Sequence, residues 1–311
     1  MARYLKVSTL GPAPLTEDPG TGQAAVDRMI RFWRENFAQV LPDRPDVIVI
    51  PECCDRFPAL SMDQRFEYYE YRGEKVRDFF CEVAAKNKCH ITYPASWRLP
   101  DGIWRNRVQM IGRNGEILGF YDKNHLVVTE CTTGRMTFGT EAQTIRCDFG
   151  TVAMAICFDL NFEELLQRYV AQQPDLVLFC SLYHGGPRQA HWAYQCRAHL
   201  VSACAGLPSE IYSPVGHRLA STTNYFNHVT LPINLDSRVA HLDFNGERFA
   251  ALKKKYGSGV RIFDPGLLGC VQISSETDSV SIDEMVREFD IEQLDDYWAR
   301  SREARRRAVE T

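Results

Sequence analysis

A short apolar run that ends at a cysteine is the feature that most constrains this chain. Residues 151–156 lead into Cys157, and an acidic, helix-forming stretch with Glu163 and Glu164 follows directly. The pattern predicts a buried strand and then a helix, with the thiol at the turn between them. The free N–H groups at a helix N-terminus favour the thiolate, which is the nucleophilic form. A single cysteine at a strand end is weak evidence, because free cysteines are often buried.

Two other apolar segments end beside an ionisable side chain. Residues 47–50 are four β-branched residues, which predict a strand buried on both faces, and Pro51 ends it so that Glu52 enters a loop. A glutamate beside an apolar strand end is expected to have a raised pKa, which suits a general base. An Asn-Gly hairpin signal precedes a strand that delivers Lys123, a cation able to hold an oxyanion. Alone, either residue also fits a solvated surface side chain.

Together the three segments resemble one family, the nitrilase-type carbon–nitrogen hydrolases. That family has a Pro-Glu after an apolar strand, a Tyr-x-Lys-x-His-Leu segment, and a strand that ends in Ile-Cys-Phe/Tyr-Asp. This chain has all three in that order: Pro51-Glu52, Tyr121-Asp-Lys123-Asn-His125-Leu126 and Ile156-Cys157-Phe158-Asp159. The resemblance covers roughly residues 4–235. It implies an α/β fold, a four-layer α-β-β-α sandwich, that pairs into a homodimer or a larger homo-oligomer.

The resemblance also implies a thiol hydrolase that cleaves a non-peptide C–N bond of a small carboxamide or N-carbamoyl compound and releases ammonia. Cys157 would attack the carbonyl carbon, Glu52 would be the general base, and Lys123 with the backbone N–H of Phe158 would hold the oxyanion. No metal or organic cofactor is needed for this chemistry. The Phe158-Asp159 pair is similar to the amidase and carbamoylase branches, so nitrile hydrolysis ranks second. A non-catalytic relative that binds a ligand or partner is the other hypothesis.

Two departures from the family's pattern leave parts of the site open. Relatives have a second glutamate between the lysine and the cysteine, and both Glu130 and Glu141 lie in that interval. Glu130 is favoured, although its spacing to Gly139 is about two residues longer than the family's usual pattern. Most relatives carry Arg-Ala-x-Glu-Asn in the helix that follows the first strand after the cysteine, whereas this chain has Arg197-Ala-His-Leu. The altered segment predicts a pocket unlike those of the best-known branches.

Candidate substrate-binding residues follow the apolar strand that is predicted to begin at Leu176. Tyr183 and His184 lie where relatives place a substrate-facing aromatic side chain, and with Phe158 they are predicted to line the pocket. A turn role for His184 is equally open. Recognition of a substrate carboxylate would need an arginine, for which Arg188 and Arg197 are the candidates.

Composition argues against several other classes of protein. The 311 residues are 45% apolar and 24% charged with a net charge of −4, and the basic clusters lie among acids, which argues against nucleic-acid binding. No window approaches the roughly twenty apolar residues that a membrane span needs, and the N-terminus does not resemble a signal peptide. The eleven cysteines form no Cys-x-x-Cys pair, and no histidine or cysteine spacing suits a metal. We expect reduced thiols and a cytoplasmic location.

Strand and helix signals alternate along the chain, as expected for sheets covered by helices. We predict one carbon–nitrogen hydrolase domain over residues 1–280 and a polar helical tail over residues 281–311. Within the domain, apolar periodicity predicts helices over residues 22–41, 64–86, 160–172 and 192–203.

Overall fold

The computed structural model describes residues 1–310, which group into two compact units. The larger unit comprises Leu5–Ile233, and the smaller one comprises Met1–Tyr4 and the chain from Asn234 onward. Each unit has its own sheets and its own apolar core. The domain boundary expected at residue 280 stays a prediction.

The larger unit contains two six-stranded sheets. Its strands are β1 (Tyr4–Leu10), β2 (Val47–Val49), β3 (His90–Arg98), β4 (Trp104–Ile111), β5 (Ile117–Asp122), β6 (Ile145–Cys147), β7 (Gly150–Ile156), β8 (Leu176–Ser181), β9 (His199–Cys204), β10 (Glu210–Tyr212), β11 (Arg218–Ser221) and β12 (His228–Asn234). One sheet has the order β12-β1-β2-β3-β4-β5 and the other β11-β10-β9-β8-β7-β6. Strands β1, β2 and β3 are parallel, as are β7, β8 and β9. Strand β2 thus lies between two parallel strands, whereas β7 lies between the parallel β8 and the antiparallel β6.

Helices cover the outer face of both sheets. They are α1 (Gly22–Val40), α2 (Met62–Arg72), α3 (Lys75–Asn87), α5 (Glu163–Val170) and α6 (Arg188–Cys196), and the unit contains a further short helix, α4 (Val128–Thr132). On the first sheet, Trp33 and Phe37 of α1 and Phe80 of α3 pack in one core with Tyr93 of β3. On the second sheet, the Tyr169 hydroxyl of α5 donates to a backbone carbonyl of β7, and α6 packs on β9. Since β2 also contacts β8 and β9, the layers follow the predicted α-β-β-α order.

One predicted helix is wrong in its second half. The helix expected over residues 192–203 ends at Cys196, because Arg197 adopts a left-handed conformation with φ 52°. Residues from His199 then form β9, which is buried along its whole length between β8 and β10. The apolar run His199-Leu-Val-Ser-Ala-Cys fits a buried strand as well as a buried helix, and strand pairing decided between them.

Two other predicted helices differ in their bounds. The helix expected over residues 64–86 is split into α2 and α3 at Gly73, whose φ of 49° favours glycine. The helix expected over residues 160–172 begins later, because a 3-10 helix occupies Cys157–Asn161 before α5 starts at Glu163.

The smaller unit is a three-stranded sheet with helices. Its strands are β13 (Ser237–His241), β14 (Val260–Phe263) and β15 (Cys270–Ser275), in the order β13-β15-β14, and its helices are α7 (Gly246–Tyr256), α8 (Ile282–Glu288) and α9 (Leu294–Glu310). Leu252 of α7 and Met285 of α8 pack with Ile273 of β15 in its core. Among residues 1–310, no helix is both long enough and apolar enough to cross a membrane.

Candidate active site

Glu52 lies in the turn that follows β2. Pro51 ends the strand, and the Glu52 residue is only 3% exposed. Three residues later the buried carboxylate of Asp55 pairs with the guanidinium of Arg72 in α2 and accepts from the hydroxyl of Tyr93 in β3. The turn is therefore tied to a helix and a strand, which fixes the direction of the Glu52 side chain.

Lys123 follows β5 and points its ammonium group between two carboxylates. Its Nζ is 2.8 Å from Oε1 of Glu52 and 2.7 Å from Oε2 of Glu130. Asn106 of β4 donates from Nδ2 to the same two side chains, at 2.7 Å to Glu52 Oε1 and 2.8 Å to Glu130 Oε1. Two carboxylates that share a buried site repel each other, and here the ammonium and the amide compensate them.

The structure brings Glu130, and not Glu141, to Lys123. Glu130 belongs to α4, and its Oε2 also accepts from the backbone N–H of Val127 at 2.9 Å. Glu141 is exposed, and its backbone carbonyl accepts from the side chain of Asn124. The geometry thus favours the first of the two glutamates for the second acidic position.

Cys157 occupies the turn directly after β7. Its φ of 49° lies in the left-handed region, where a side chain other than glycine is strained. The residue is partly exposed, and it is the first residue of the 3-10 helix that precedes α5. The thiol is therefore separated from the N-terminus of α5, to which the sequence pattern had assigned its activation.

Asp159 connects the cysteine turn to the lysine strand. Its buried carboxylate accepts from the backbone N–H groups of Ile156 at 3.1 Å and His125 at 2.8 Å, and from the Tyr121 hydroxyl at 2.8 Å. Tyr121 and His125 flank the lysine, and Ile156 precedes the cysteine. These bonds explain physically why the Tyr-x-Lys-x-His-Leu and Ile-Cys-Phe-Asp segments occur together.

The model of the carbon–nitrogen hydrolase family matches residues 20–251. The chain belongs to the carbon–nitrogen hydrolase family. The family indicated by the three sequence motifs is thereby confirmed. The human omega-amidase NIT2 is 25% identical over 191 residues, which are 57% of this chain and 64% of that relative.

Solved structures of the nitrilase superfamily have the same fold as this carbon–nitrogen hydrolase. Nit3 of Saccharomyces cerevisiae, a member of branch 10 of that superfamily, superimposes with a TM-score of 0.62 at 17% identity, over 82% of this chain and 95% of Nit3. An amidase from Nesterenkonia sp. gives a TM-score of 0.61 at 15% identity, over 81% of this chain and 96% of the amidase. These similarities confirm the predicted sandwich fold.

The pKa of Glu52 is shifted opposite to the sequence-based expectation. Burial by itself raises it, but the charge and hydrogen bond of Lys123, with contributions from Cys157 and Asn106, lower it below the ordinary value. The expectation of a raised pKa was wrong because the apolar strand end was considered without its cation. Burial likewise lowers the pKa of Lys123, yet Glu52, Cys157 and Glu130 outweigh it and raise that pKa. At neutral pH this carbon–nitrogen hydrolase thus holds an ionised Glu52 beside a charged Lys123.

The Cys157 thiol is protonated at neutral pH. Burial and the nearby Glu52 charge together raise its pKa to about 12, against a smaller opposing effect of Lys123. The position before a helix had suggested that Cys157 is a thiolate in the resting protein. The structure does not support this expectation. Nucleophilic attack requires that a base remove the proton during the reaction, and Glu52 is the carboxylate that interacts with this thiol.

We expect Glu52→Gln to lower the pKa of the Cys157 thiol by at least about one unit. The substitution removes the negative charge that disfavours the thiolate, while the Lys123 ammonium that favours it remains. Site-resolved alkylation of Cys157 by iodoacetamide, followed from pH 6 to 10, should then rise at lower pH than in the wild type. Glu52→Asp keeps the charge and is the matched control. A Glu52→Gln profile that coincides with the wild type, or lies at higher pH, contradicts this electrostatic account.

The three predicted pocket residues lie near the cysteine turn or the loop after β8. Phe158 is half-buried and packs edge-on against Phe162. Tyr183 is half-buried, and burial together with the nearby Cys157 raises the pKa of its hydroxyl. His184 accepts at Nδ1 from the backbone N–H of Gly186. Contact of these residues with a substrate stays a prediction.

The loop that carries His184 is held by a buried carboxylate. Nε2 of His184 lies 3.3 Å from Oε2 of Glu210, and the residue Glu210 is 2% exposed. Glu210 also accepts from the Tyr212 hydroxyl and from Nη1 of Arg218. Both ring nitrogens of His184 are thus engaged within the protein, which favours the turn role that the sequence had left open.

Sequence reasoning missed Asn106 as a site residue. Asn106 lies within the buried strand β4, and an asparagine at such a position needs hydrogen-bonding partners, which was the available signal. Within residues 1–310, no group of three or more His, Cys, Asp or Glu side chains is arranged to hold a metal ion.

Proposed function

We propose that this carbon–nitrogen hydrolase cleaves a non-peptide C–N bond of a small carboxamide or N-carbamoyl compound through a thioester on Cys157. The observation that carries the proposal is the Lys123 ammonium held between Glu52 and Glu130 at 2.8 and 2.7 Å. Relatives support an amide substrate: the human relative is an omega-amidase, and a double mutant of the Nesterenkonia amidase was solved in complex with acrylamide.

The two oxygens of Glu52 have different surroundings. Oε1 accepts from Lys123 and Asn106, whereas Oε2 is buried without a hydrogen bond of ordinary length. Oε2 is therefore the atom available to take the thiol proton of Cys157. As that proton moves to Glu52, the sulfur forms a bond to the carbonyl carbon, and the carbonyl electron pair moves onto oxygen.

Lys123 stabilises the resulting oxyanion together with a backbone N–H of the turn, that of Phe158. Glu52 returns the proton to the nitrogen, the C–N bond breaks, and ammonia leaves a thioester behind. Glu52 then removes a proton from water, which attacks the thioester carbon. The C–S bond breaks, the carboxylic acid departs, and the proton returns to the Cys157 sulfur. Glu130 acts by holding Lys123 and Asn106 in place.

The test is ammonia release from a panel of small carboxamides, N-carbamoyl compounds and nitriles. We expect turnover of at least one amide or carbamoyl compound by the wild type and none by Cys157→Ala, with an unchanged circular dichroism spectrum. Turnover confined to nitriles favours the second hypothesis. Absence of turnover across the whole panel contradicts the proposal and favours a binding protein. The predicted homo-oligomer and cytoplasmic location remain proposals as well.

A further inference from the structure

Asp159 has a buried carboxylate that binds groups from two separate segments of the site. The residue is fully buried and stands two residues after Cys157. Its Oδ2 accepts from the backbone N–H of Ile156 at 3.1 Å and from the Tyr121 hydroxyl at 2.8 Å. Its Oδ1 accepts from the backbone N–H of His125 at 2.8 Å and lies 3.1 Å from Nδ1 of the same histidine. Each oxygen therefore has two partners, which fixes the carboxylate and the groups bound to it.

The groups on this carboxylate lie next to both proposed oxyanion donors. On one side, they come from the residues two positions before and two positions after Lys123. On the other side, Ile156 and Phe158 directly flank Cys157. Lys123 supplies the ammonium and Phe158 the backbone N–H that are proposed to hold the oxyanion. The two donors thus belong to segments that are bound to one carboxylate.

The backbone conformation of Cys157 requires support from its surroundings. Its φ of 49° lies in the left-handed region, which costs free energy for a residue with a Cβ and persists only where other contacts hold it. The bond from the N–H of Ile156 to the Asp159 carboxylate spans this turn, and the N–H of Phe162 donates to the Asp159 carbonyl at 3.1 Å. Loss of the carboxylate would let Cys157 relax toward a right-handed conformation, which would rotate the adjoining N–H of Phe158.

The ring of His125 makes a second connection between the same two segments. It stacks on the ring of Phe162, with centroids 3.8 Å apart and an angle of 6° between the planes. The Phe162 ring in turn packs edge-on against Phe158, with centroids 5.1 Å apart. The imidazole thus links the lysine segment to the residue that carries the second oxyanion donor.

We propose that Asp159 is a positioning residue that sets the Lys123 ammonium and the backbone N–H of Phe158 at the separation the oxyanion requires. The inference rests on the proposed function and concerns the stabilisation of its transition state. Asp159 itself touches neither the substrate nor the reacting atoms. The oxyanion exists in the transition state and not in the bound substrate, so a loss of alignment lowers kcat and leaves KM nearly unchanged.

The experiment uses short straight-chain aldehydes, from acetaldehyde to pentanal, as probes of the oxyanion site. The Cys157 sulfur adds to the carbonyl carbon, the carbonyl electron pair moves onto oxygen, and the thiol proton moves to Glu52. The adduct is tetrahedral and has no leaving group, so it forms reversibly and resembles the transition state. Its stability is measured as the aldehyde concentration that halves the rate of Cys157 alkylation by iodoacetamide. This measurement needs no turnover.

We expect Asp159→Asn to weaken aldehyde protection and to lower kcat for the best amide of the panel by about 10²-fold each, the usual effect of a displacement of about 1 Å. Asparagine keeps one accepting oxygen and replaces the other by an N–H2 group, so one pair of donors loses its acceptor. KM for the amide should change by less than about twofold. Tyr121→Phe removes one hydroxyl and should weaken both readouts by about tenfold, and it serves if Asp159→Asn does not fold.

Asp175→Asn is the matched control. Asp175 accepts from the backbone N–H of Thr151 at 2.8 Å, so it holds the opposite end of β7 from the cysteine. Its replacement should change kcat and aldehyde protection by less than about twofold. Aldehyde protection that is equal in the wild type, Asp159→Asn and Tyr121→Phe overturns the inference, as does an equal loss in Asp175→Asn. Protection that weakens in Asp159→Asn, in a protein that hydrolyses no amide, leaves the positioning role standing and rejects the proposed hydrolase.

Discussion

Replacing Lys123 by methionine is expected to reduce kcat for amide hydrolysis by about 10²–10³-fold. Methionine has a similar length but no charge, so the oxyanion loses its cationic partner. Glu52 and Glu130 also lose the ammonium that lies 2.8 and 2.7 Å from them. The measurement is kcat on the best amide of the panel, with circular dichroism and urea unfolding to establish that the variant is folded.

The pH dependence of kcat separates two effects of Lys123, which are stabilisation of the oxyanion and the shift in the pKa of Glu52. The Lys123 charge lowers the pKa of Glu52, so its removal raises that pKa. Glu52 would then ionise at higher pH, and the acidic limb of the rate profile should move to higher pH in Lys123→Met.

The double variant Lys123→Met/Glu130→Gln serves as the control. It removes the repulsion between the carboxylates and should recover stability without recovering rate. Recovery of rate along with stability would contradict a catalytic role for the lysine, because it would show that the single variant fails through misfolding.

Asp55→Ala is expected to lower the free energy of unfolding by about 3–5 kcal/mol. Asp55 is fully buried, and it accepts from the Arg72 guanidinium and the Tyr93 hydroxyl. Arg72 is 1% exposed and additionally donates at 2.7 Å to the carbonyl of Ser96. Removal of the carboxylate leaves the buried guanidinium without its counter-charge. Urea unfolding monitored by tryptophan fluorescence measures the change.

Two comparisons identify the cause of that loss. Asp55→Leu/Arg72→Met removes both charges and should be less destabilised than Asp55→Ala alone, since replacement of a whole buried pair costs less than removal of one member. Arg135→Ala breaks the ion pair between Arg135 and Asp63, whose side chains are 59% and 79% exposed. It should change the free energy of unfolding by no more than about 1 kcal/mol. Equal losses in the free energy of unfolding for Asp55→Ala and Arg135→Ala would contradict this account, in which the loss is large because the Asp55–Arg72 pair is buried. Because the Asp55 turn also carries Glu52, Asp55→Ala should lower activity too.

Elements with a distinctive local pattern were predictable. The strand before Glu52, the Asn-Gly hairpin before Lys123 and the strand before Cys157 lie where the pattern predicted them. The segment from His199 was not predictable, because its apolar residues suit a buried strand and a buried helix equally. Pairing between strands that are distant in sequence decided it, and a single segment does not show such pairing.

The order and spacing of the three motifs determined the family, the sandwich fold and the identity of Glu52, Lys123 and Cys157 as candidates. These features depend on covalent sequence, since strand ends and turns are local. Only the tertiary structure decided which charges meet. It placed Lys123 against Glu52, which reversed the expected direction of the Glu52 pKa shift. It also brought Glu130, and not Glu141, into contact with Lys123. Electrostatic shifts depend on distances of a few ångströms between residues far apart in the chain, and folding alone sets those distances.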